Sequence, residues 1–355
     1  MLKRIVLTRA LILLACANML ANAGLVQTPA FAQAQAPTDR PLSPRVALKV
    51  GALGALSDAG IFIALERGYF SDEGLDIELV GFKAAPQILP ALASGEVPVS
   101  GAAVSASLFN AIRRDVGLKL VADKGQVSKG FGWAAIAIRP DLAPAIKQFS
   151  DLKGRRIAVP GKGATSTTQL GMALALGGLA PSDIEFVELG IPEMVAGLGN
   201  KAIDAATLLE PFIASAVANN IAVRWKGMED FLPFKGQNGV IVYSEAFATK
   251  QPEAARRWMV AYLRGTRAYV DSVVRGVARD EVHAILAKHT AVKNPALFAT
   301  MAPTGFDPNG RLELASIEAD QDWFIKLGLQ AERGDLSRIV DYSYVDYAVA
   351  RLGRW

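Results

Sequence analysis

The sequence predicts an α/β protein built as two similar lobes with largely parallel sheets. Three observations carry this. Short apolar runs alternate with helical patterns from Val46 onward. The order strand, small-residue loop, helix, glycine stop, strand, helix, strand occurs twice, once from Val46 and again from Arg156. The roughly 320 residues after Ala32 also exceed the usual size of one domain.

In the first unit, Val46–Val50 reads as a strand and Gly51–Ala59 as a loop of small residues. Ile61–Arg67 reads as a helix stopped by Gly68. Leu75–Val80 alternates apolar and acidic residues, as a strand does, and Ala85–Ser94 is a helix stopped by Gly95. Val97–Ser100 is a third strand. In the second unit, Arg156–Val159 is a strand, Gly161–Gly163 a flexible loop and Thr165–Leu176 a helix closed by Gly177-Gly178. Ile184–Leu189, Pro192–Leu198 and Ile203–Thr207 follow as strand, helix and strand. Trp133–Ile138 and Val240–Tyr243 lead into and out of this unit. Pro252–Val274, Ala278–His289, Leu312–Leu327 and Tyr344–Leu352 have helical patterns and are expected to return to the first lobe. The resulting division is residues 45–138 plus 240–355 for lobe one and 139–239 for lobe two.

Residues 1–32 read as a secretory signal peptide. Lys3, Arg4 and Arg9 form a basic start, an apolar stretch runs from Ala10 to Val26, and Ala30-Phe31-Ala32 fits a cleavage site. Gln33–Pro44 is then the flexible start of the mature chain. A membrane anchor is the rival reading, but the apolar run falls short of the ~20 clean residues a span needs. Leu13-Leu14-Ala15-Cys16 resembles a lipidation site, which Leu14 fits poorly. The three basic residues of 1–32, with no acid among them, supply most of the formal charge of +4 and leave +1 for the rest. A nearly neutral chain gives no reason to expect nucleic acid or an anionic membrane as partner. Cys16 is the one cysteine. Its removal would leave no thiol for a nucleophile, a disulfide or a thiolate metal site.

Ligands of parallel α/β sheets sit beyond the carboxyl ends of the strands. Four loops qualify here. Gly161–Ser166 is the strongest chemically, because Gly163 and Ala164 let backbone amides approach a solute while Thr165 and Ser166 open a helix. Free amides there favour an anionic or strongly polar oxygen; Thr165 or Ser166 capping its own helix is the plainer alternative. Ser100–Ser105, with Gly101, Ala102 and Ala103, is either a second such loop or a tightly packed turn. Ser57 and Asp58 lie in the first loop. Glu210, in Glu210-Pro211-Phe212, would be a partly buried carboxylate that either accepts from a ligand amine or pins the hinge. Trp133 and Phe212 are either core residues or platforms for a ring.

Absences narrow the reading. His283 and His289 lie six apart on one predicted helix, hence on opposite faces, and make no metal pair. There is no Gly-x-Ser-x-Gly elbow, no Walker A loop and no dinucleotide fingerprint after the first strand. No constellation asks for an enzyme, a metal or a cofactor.

The chain resembles the substrate-binding proteins of ABC importers of the nitrate/sulfonate/taurine type, whose relatives bind thiamine pyrimidine precursors. Ile63–Phe70 with Glu73–Glu78 looks like that family's first helix and second strand, and Ala91–Val97 like its next helix turn, with Pro98 where the family has Asp. Asp151–Pro160 is similar to the opening of its second lobe, and Ala202–Ala206 and Glu210–Phe212 to a later strand and loop. The resemblance implies a type II periplasmic-binding fold: two lobes, two crossovers and a ligand cleft. It implies ligand contacts from Ser57, Asp58, Gly101–Ala103, Gly163–Ser166 and Glu210. It also implies a monomeric periplasmic receptor that closes on a small anionic or polar organic molecule, such as a sulfonate, taurine, nitrate or an aromatic acid, and hands it to a permease with its ATPase. A pyrimidine-precursor binder, or an enzyme on the same fold, is the alternative.

Overall fold

The computed structural model describes residues 40–82 and 87–355. The leader reading, including Cys16, lies outside the described residues, as do residues 33–39 and the first turn of the helix expected from Ala85. Residues 40–44 differ from a free N-terminus. The Leu42 amide donates to the Glu73 carbonyl at 3.1 Å, and Leu42 packs on the core of the first sheet.

Strands β1 (Val46–Ala52), β2 (Leu75–Gly81), β3 (Val99–Ala103), β4 (Leu118–Val127) and β10 (Gly236–Ser244) form one sheet in the order β2-β1-β3-β10-β4. Strands β5 (Ala134–Ile138), β6 (Arg156–Val159), β7 (Glu185–Glu188), β8 (Ala205–Leu209) and β9 (Val223–Gly227) form the other, in the order β7-β6-β8-β5-β9. The two orders are the same pattern. In each, the strand that arrives from the opposite sheet, β10 or β5, enters antiparallel beside the third strand of the lobe. The repeat seen in the sequence is therefore a repeat in space. Ala134–Ile138, expected at the end of lobe one, belongs to the second sheet, so the first crossover is the short stretch 128–133.

The helices are α1 (Ala59–Glu66), α2 (Tyr69–Asp72), α3 (Ile88–Ser94), α4 (Ala106–Arg113), α5 (Thr165–Leu176), α6 (Ile191–Gly199), α7 (Phe212–Ala218), α8 (Glu245–Lys250), α9 (Pro252–Arg275), α10 (Arg279–His289), α11 (Leu314–Lys326), α12 (Leu336–Ile339) and α13 (Ser343–Leu352). Most expected elements recur within two residues. Strands β4 and β9 and helices α2, α4, α7, α8 and α12 are additional. Among the described residues, no helix is long and apolar enough to cross a membrane.

Each sheet is covered on both faces, which is why its central strands are largely apolar and buried; all five residues of β5 are buried. Trp258, Tyr262 and Leu263 of α9, with Val345 of α13, cover one face of the first sheet against Val50, Val121 and Ile241. Phe109, Ile317 and Phe324 cover the other. Leu170 and Leu174 of α5 and Met194 and Leu198 of α6 flank the second sheet. The buried Arg257 is neutralised by Glu73 at 2.8 Å, and Arg351 binds the same carboxylate at 2.6 Å, which ties α9 and α13 to the end of α2. The two crossovers are clamped together. Arg224 donates to the Gly132 carbonyl at 2.8 Å and to Glu229 at 2.7 Å, and a Cβ on Gly132 would lie 1.9 Å from the Glu229 carboxylate.

Candidate functional site

Buried polar side chains gather where the two lobes meet, in two groups. The first belongs to the first sheet. After β1 the chain makes a short 3-10 turn, Leu56–Asp58, and Asp58 folds back to accept the amides of Leu53 and Ala55, both at 3.0 Å. Its other oxygen faces the ammonium of Lys124 at 2.9 Å. Lys124 also donates to the Ser57 hydroxyl at 2.8 Å. Both charged groups are almost fully buried, so each needs the other. Gly101 makes the arrangement possible: a Cβ there would fall 1.9 Å from the Lys124 Cε. Gly125 follows with φ +145°, a conformation that suits glycine, and faces Ser57, Thr304 and the Trp133 ring. Trp133 is buried and donates its indole N–H to the Gln126 carbonyl at 3.0 Å.

The second group surrounds the start of α5. The Ala106 amide donates to the Gly163 carbonyl at 3.0 Å, and Ser105 and Ala164 form a single antiparallel bridge. The Thr165 hydroxyl donates to the Val104 carbonyl at 3.0 Å and lies 3.2 Å from the Asp320 carboxyl of α11. Ser166 is buried next to it. Asp320 has no cation beside it; burial pushes its pKa up to about 7, and the hydroxyls of Thr168 and Thr165 only partly offset this. One turn along α11, Ser316 accepts the Gln237 amide at 2.9 Å, and the Gln237 side chain donates to Asp123 at 2.6 Å. Asp123 is likewise raised to about 7 by burial, against bonds from the amides of Gly125 and Asp307. This polar line connects the two groups, which share no direct hydrogen bond.

Glu210 links the lobes. It follows β8, ahead of a cis bond to Pro211; one carboxylate oxygen accepts the Ala214 amide of α7 at 3.0 Å and the other the Ala302 amide at 3.4 Å. Burial raises its pKa. Its geometry is that of a helix cap with a second bond to the Ala302 amide. Phe212 opens α7 and is half-buried.

The sequence expectations divide accordingly. Ser57, Asp58, Trp133 and, through its neighbours, Gly101 come together in the first group. Gly163, Ala164 and Thr165 come together in the second. Gly101, Ala102 and Ala103 are not a loop but the end of β3, paired with Ile241, Val240 and Gly239. Gly101 allows close packing there, since a Cβ would meet the Lys124 stem. Thr165 is engaged with protein groups on both sides. Lys124, Asp123, Gln237 and Asp320 escaped sequence reasoning, although two signals were readable. Asp123-Lys124 puts two charged residues inside a strand that is buried almost throughout, and Asp320 sits on the stripe Ile317, Asp320, Gln321, Phe324 that α11 buries. Among the described residues no group of three or more His, Cys, Asp or Glu could hold a metal ion. A groove of about 710 Å³ lined by Leu314, Gln321, Arg333, Leu336 and Tyr342 lies elsewhere.

Residues 57–272 match the NMT1/THI5-like family, and the chain belongs to it. It is 26% identical over 248 residues to the riboflavin-binding protein RibY of Chloroflexus aurantiacus, a match covering 67% of this chain and 66% of that protein. The fold is that of the periplasmic aliphatic sulphonate-binding protein SsuA from Escherichia coli, with TM-score 0.68 and 21% identity over 83% of this chain and 92% of that one. It is also that of the periplasmic nitrate-binding protein NrtA from Synechocystis, with TM-score 0.66 and 16% identity over 90% of each chain. This is the type II periplasmic-binding architecture expected from the sequence. A desulfurization enzyme, DSZB, shares it too, with TM-score 0.64 and 16% identity over 86% of this chain and 99% of that one.

Proposed function

We propose that this chain is a periplasmic receptor that takes up a small polar organic solute between its lobes and presents it to the permease and ATPase of an ABC importer. The observation that carries this reading is the polar layer at the junction. A chain of this size can fill its interior with apolar groups, yet Ser57, Lys124, Asp320 and Glu210 are buried at the junction, and Gln169 of α5 and Thr207 of β8 keep buried oxygens without partners. Unsatisfied buried polar atoms cost about 1–3 kcal/mol each unless something hydrogen-bonds them. A solute with donors and acceptors would do so. Its ring or carbon body would lie near Trp133, and residues 1–32 would direct export. The lobes are 45–138 with 240–355 and 139–239, adjusted so that β5 counts with the second.

Closure follows from the same geometry. Only a few hydrogen bonds join the α4 and α5 starts across the seam, and Glu210 adds one to Ala302. Breaking and remaking them around the two crossovers is a motion of a few kcal/mol, within reach of a ligand that touches both lobes. Thermal-shift and calorimetric titration with riboflavin, pyrimidines, alkyl- and arylsulfonates and aromatic acids tests the reading. One class should raise the midpoint and be recovered unchanged. Folded, ligand-free protein that responds to none defeats it, and recovery of a converted product would favour the enzyme that shares the fold.

A further inference from the structure

We propose that Glu229 and Arg224 form a latch that fastens both crossovers to the second sheet and so confines the bend between the lobes to Phe131–Gly132 and Pro233–Phe234. The inference rests on the receptor reading above and deepens it, because it says which bonds the junction turns on.

The first crossover changes sides within two residues. Gln126 and Gly305 exchange backbone hydrogen bonds at 2.8 and 3.1 Å, and Ser128 and Phe131 close a tight turn with bonds of 3.3 and 2.7 Å. A Cβ on Gly305 would lie 3.0 Å from the Phe131 Cβ, so Phe131 rides on the first lobe. The next two residues are held by the second. Arg224 of β9 donates to the Gly132 carbonyl at 2.8 Å, and the Glu210 amide, just past β8, donates to the Trp133 carbonyl at 2.8 Å. The Trp133 indole reaches back to Gln126, so at that point a side chain spans the bend.

The second crossover, residues 228–235, divides in the same way. The Gly227 amide donates to the Asp230 carboxylate at 2.9 Å and the Leu232 amide to the Met228 carbonyl at 3.2 Å. Phe231 and Leu232 pack on the core of the second sheet. Lys235 reaches Glu313, ahead of α11, at 3.1 Å, and Gly236 already pairs with Val127 in the first sheet. Pro233 and Phe234 lie between the two anchored stretches.

Glu229 joins the crossovers. Its carboxylate accepts from Arg224 at 2.7 Å and fills a cradle of two glycines; a Cβ on Gly132 or on Gly227 would overlap it. Glu229 Oε2 and Arg224 Nε are nevertheless buried without partners. A half-satisfied ion pair is a poor source of stability. Its service is geometric: it makes the two chains turn as one piece with the second sheet.

The test is run on residues 33–355 without any solute, by amide hydrogen exchange and by residual dipolar couplings of the two sheets. In wild type the couplings of both sheets should fit one common orientation. Gly132→Ala, which evicts the carboxylate, and Glu229→Ala, which deletes it, should each speed exchange of the Glu210 amide roughly three- to tenfold, the scale of one lost hydrogen bond. Each sheet should still fit by itself, but the common orientation should be lost. A merely structural role would lower stability and leave that orientation in place. Adding Gly132→Ala to Glu229→Ala should change nothing further, because no carboxylate is left to evict. Unchanged exchange, a common orientation that survives both variants or is already missing in wild type, or full additivity of the two changes overturns the proposal. Should both variants fail to fold, Arg224→Met, which keeps the stem and removes both hydrogen bonds, decides by the same loss of common orientation. The two readings fail separately. A chain that binds no solute can still carry the latch, and a receptor indifferent to Glu229 loses the latch alone.

Discussion

The two buried aspartates at the junction are held in opposite ways. Asp58 faces a lysine and two backbone amides, all within 3.0 Å. Asp320 faces hydroxyls and no cation, and burial lifts it to about 7. One carboxyl belongs to a charged pair that builds a rigid pole of the first lobe. The other, raised to about 7 by burial, lies against a helix start of the second. The difference teaches that burial alone does not define a carboxylate's role; what it faces does.

Removing the lysine should have the largest effect. Lys124→Ala leaves Asp58 buried without its partner, and urea unfolding should register a loss of about 3–5 kcal/mol. Adding Asp58→Asn to that variant should return part of it. A loss under about 1 kcal/mol would mean the pair is not what holds the pole. Next, Glu210→Ala removes the acceptor for both Ala214 and Ala302 and should cost about 1–2 kcal/mol. Small-angle scattering should also show a larger radius of gyration as the lobes part. An unchanged radius would confine Glu210 to capping α7.

The pH response separates the two aspartates further. A carboxyl at about 7 when folded, against 3.8 unfolded, favours the folded state below the unfolded value and loses that contribution as pH rises toward 7. Asp320→Asn should therefore match wild type near pH 4 and unfold roughly 2–4 °C higher at pH 8. The elements packed on α11 leave Asp320 as the group responsible. Helix α5 and strand β10 carry no charged residue, the Arg113 of α4 pairs with Glu332, and Glu318 and Asp322 of α11 itself face Arg333. Whatever slope remains in the variant belongs in the first instance to Asp123, raised to about 7 by the same cause. Identical pH profiles would show that Asp320 does not hold its proton. The smallest effect is expected from Thr165→Val, which removes the hydroxyl's shared contacts to Val104 and Asp320 and should cost about 1 kcal/mol by the same urea measurement.

The architecture was readable because it rests on local signals. Glycine stops after Arg67, Ser94 and Leu176 and the twice-repeated order of elements placed most strands and helices within two residues of where they lie. The site was half readable. Ser57, Asp58, Thr165 and Glu210 were found because loops after strands are where polar groups gather. Lys124 and Asp320 were not, because they come from strand β4 and helix α11, 67 residues and 155 residues from their partners Ser57 and Thr165. Periodicity marks such positions as buried but does not say what they meet. Gly101–Ala103 read as a loop and form a strand end for a related reason: small residues look the same whether they free a backbone or make room for a neighbour.

Gly101 has a consequence for the history of the family. Because any side chain there collides with the Lys124 stem, the two positions cannot drift independently. In descendants of this fold, a substitution at the first should be found only together with a shorter residue at the second and a neutral one at Asp58. The three should change as a set, and that co-inheritance would trace which lineages kept a charged pole and which exchanged it for another chemistry.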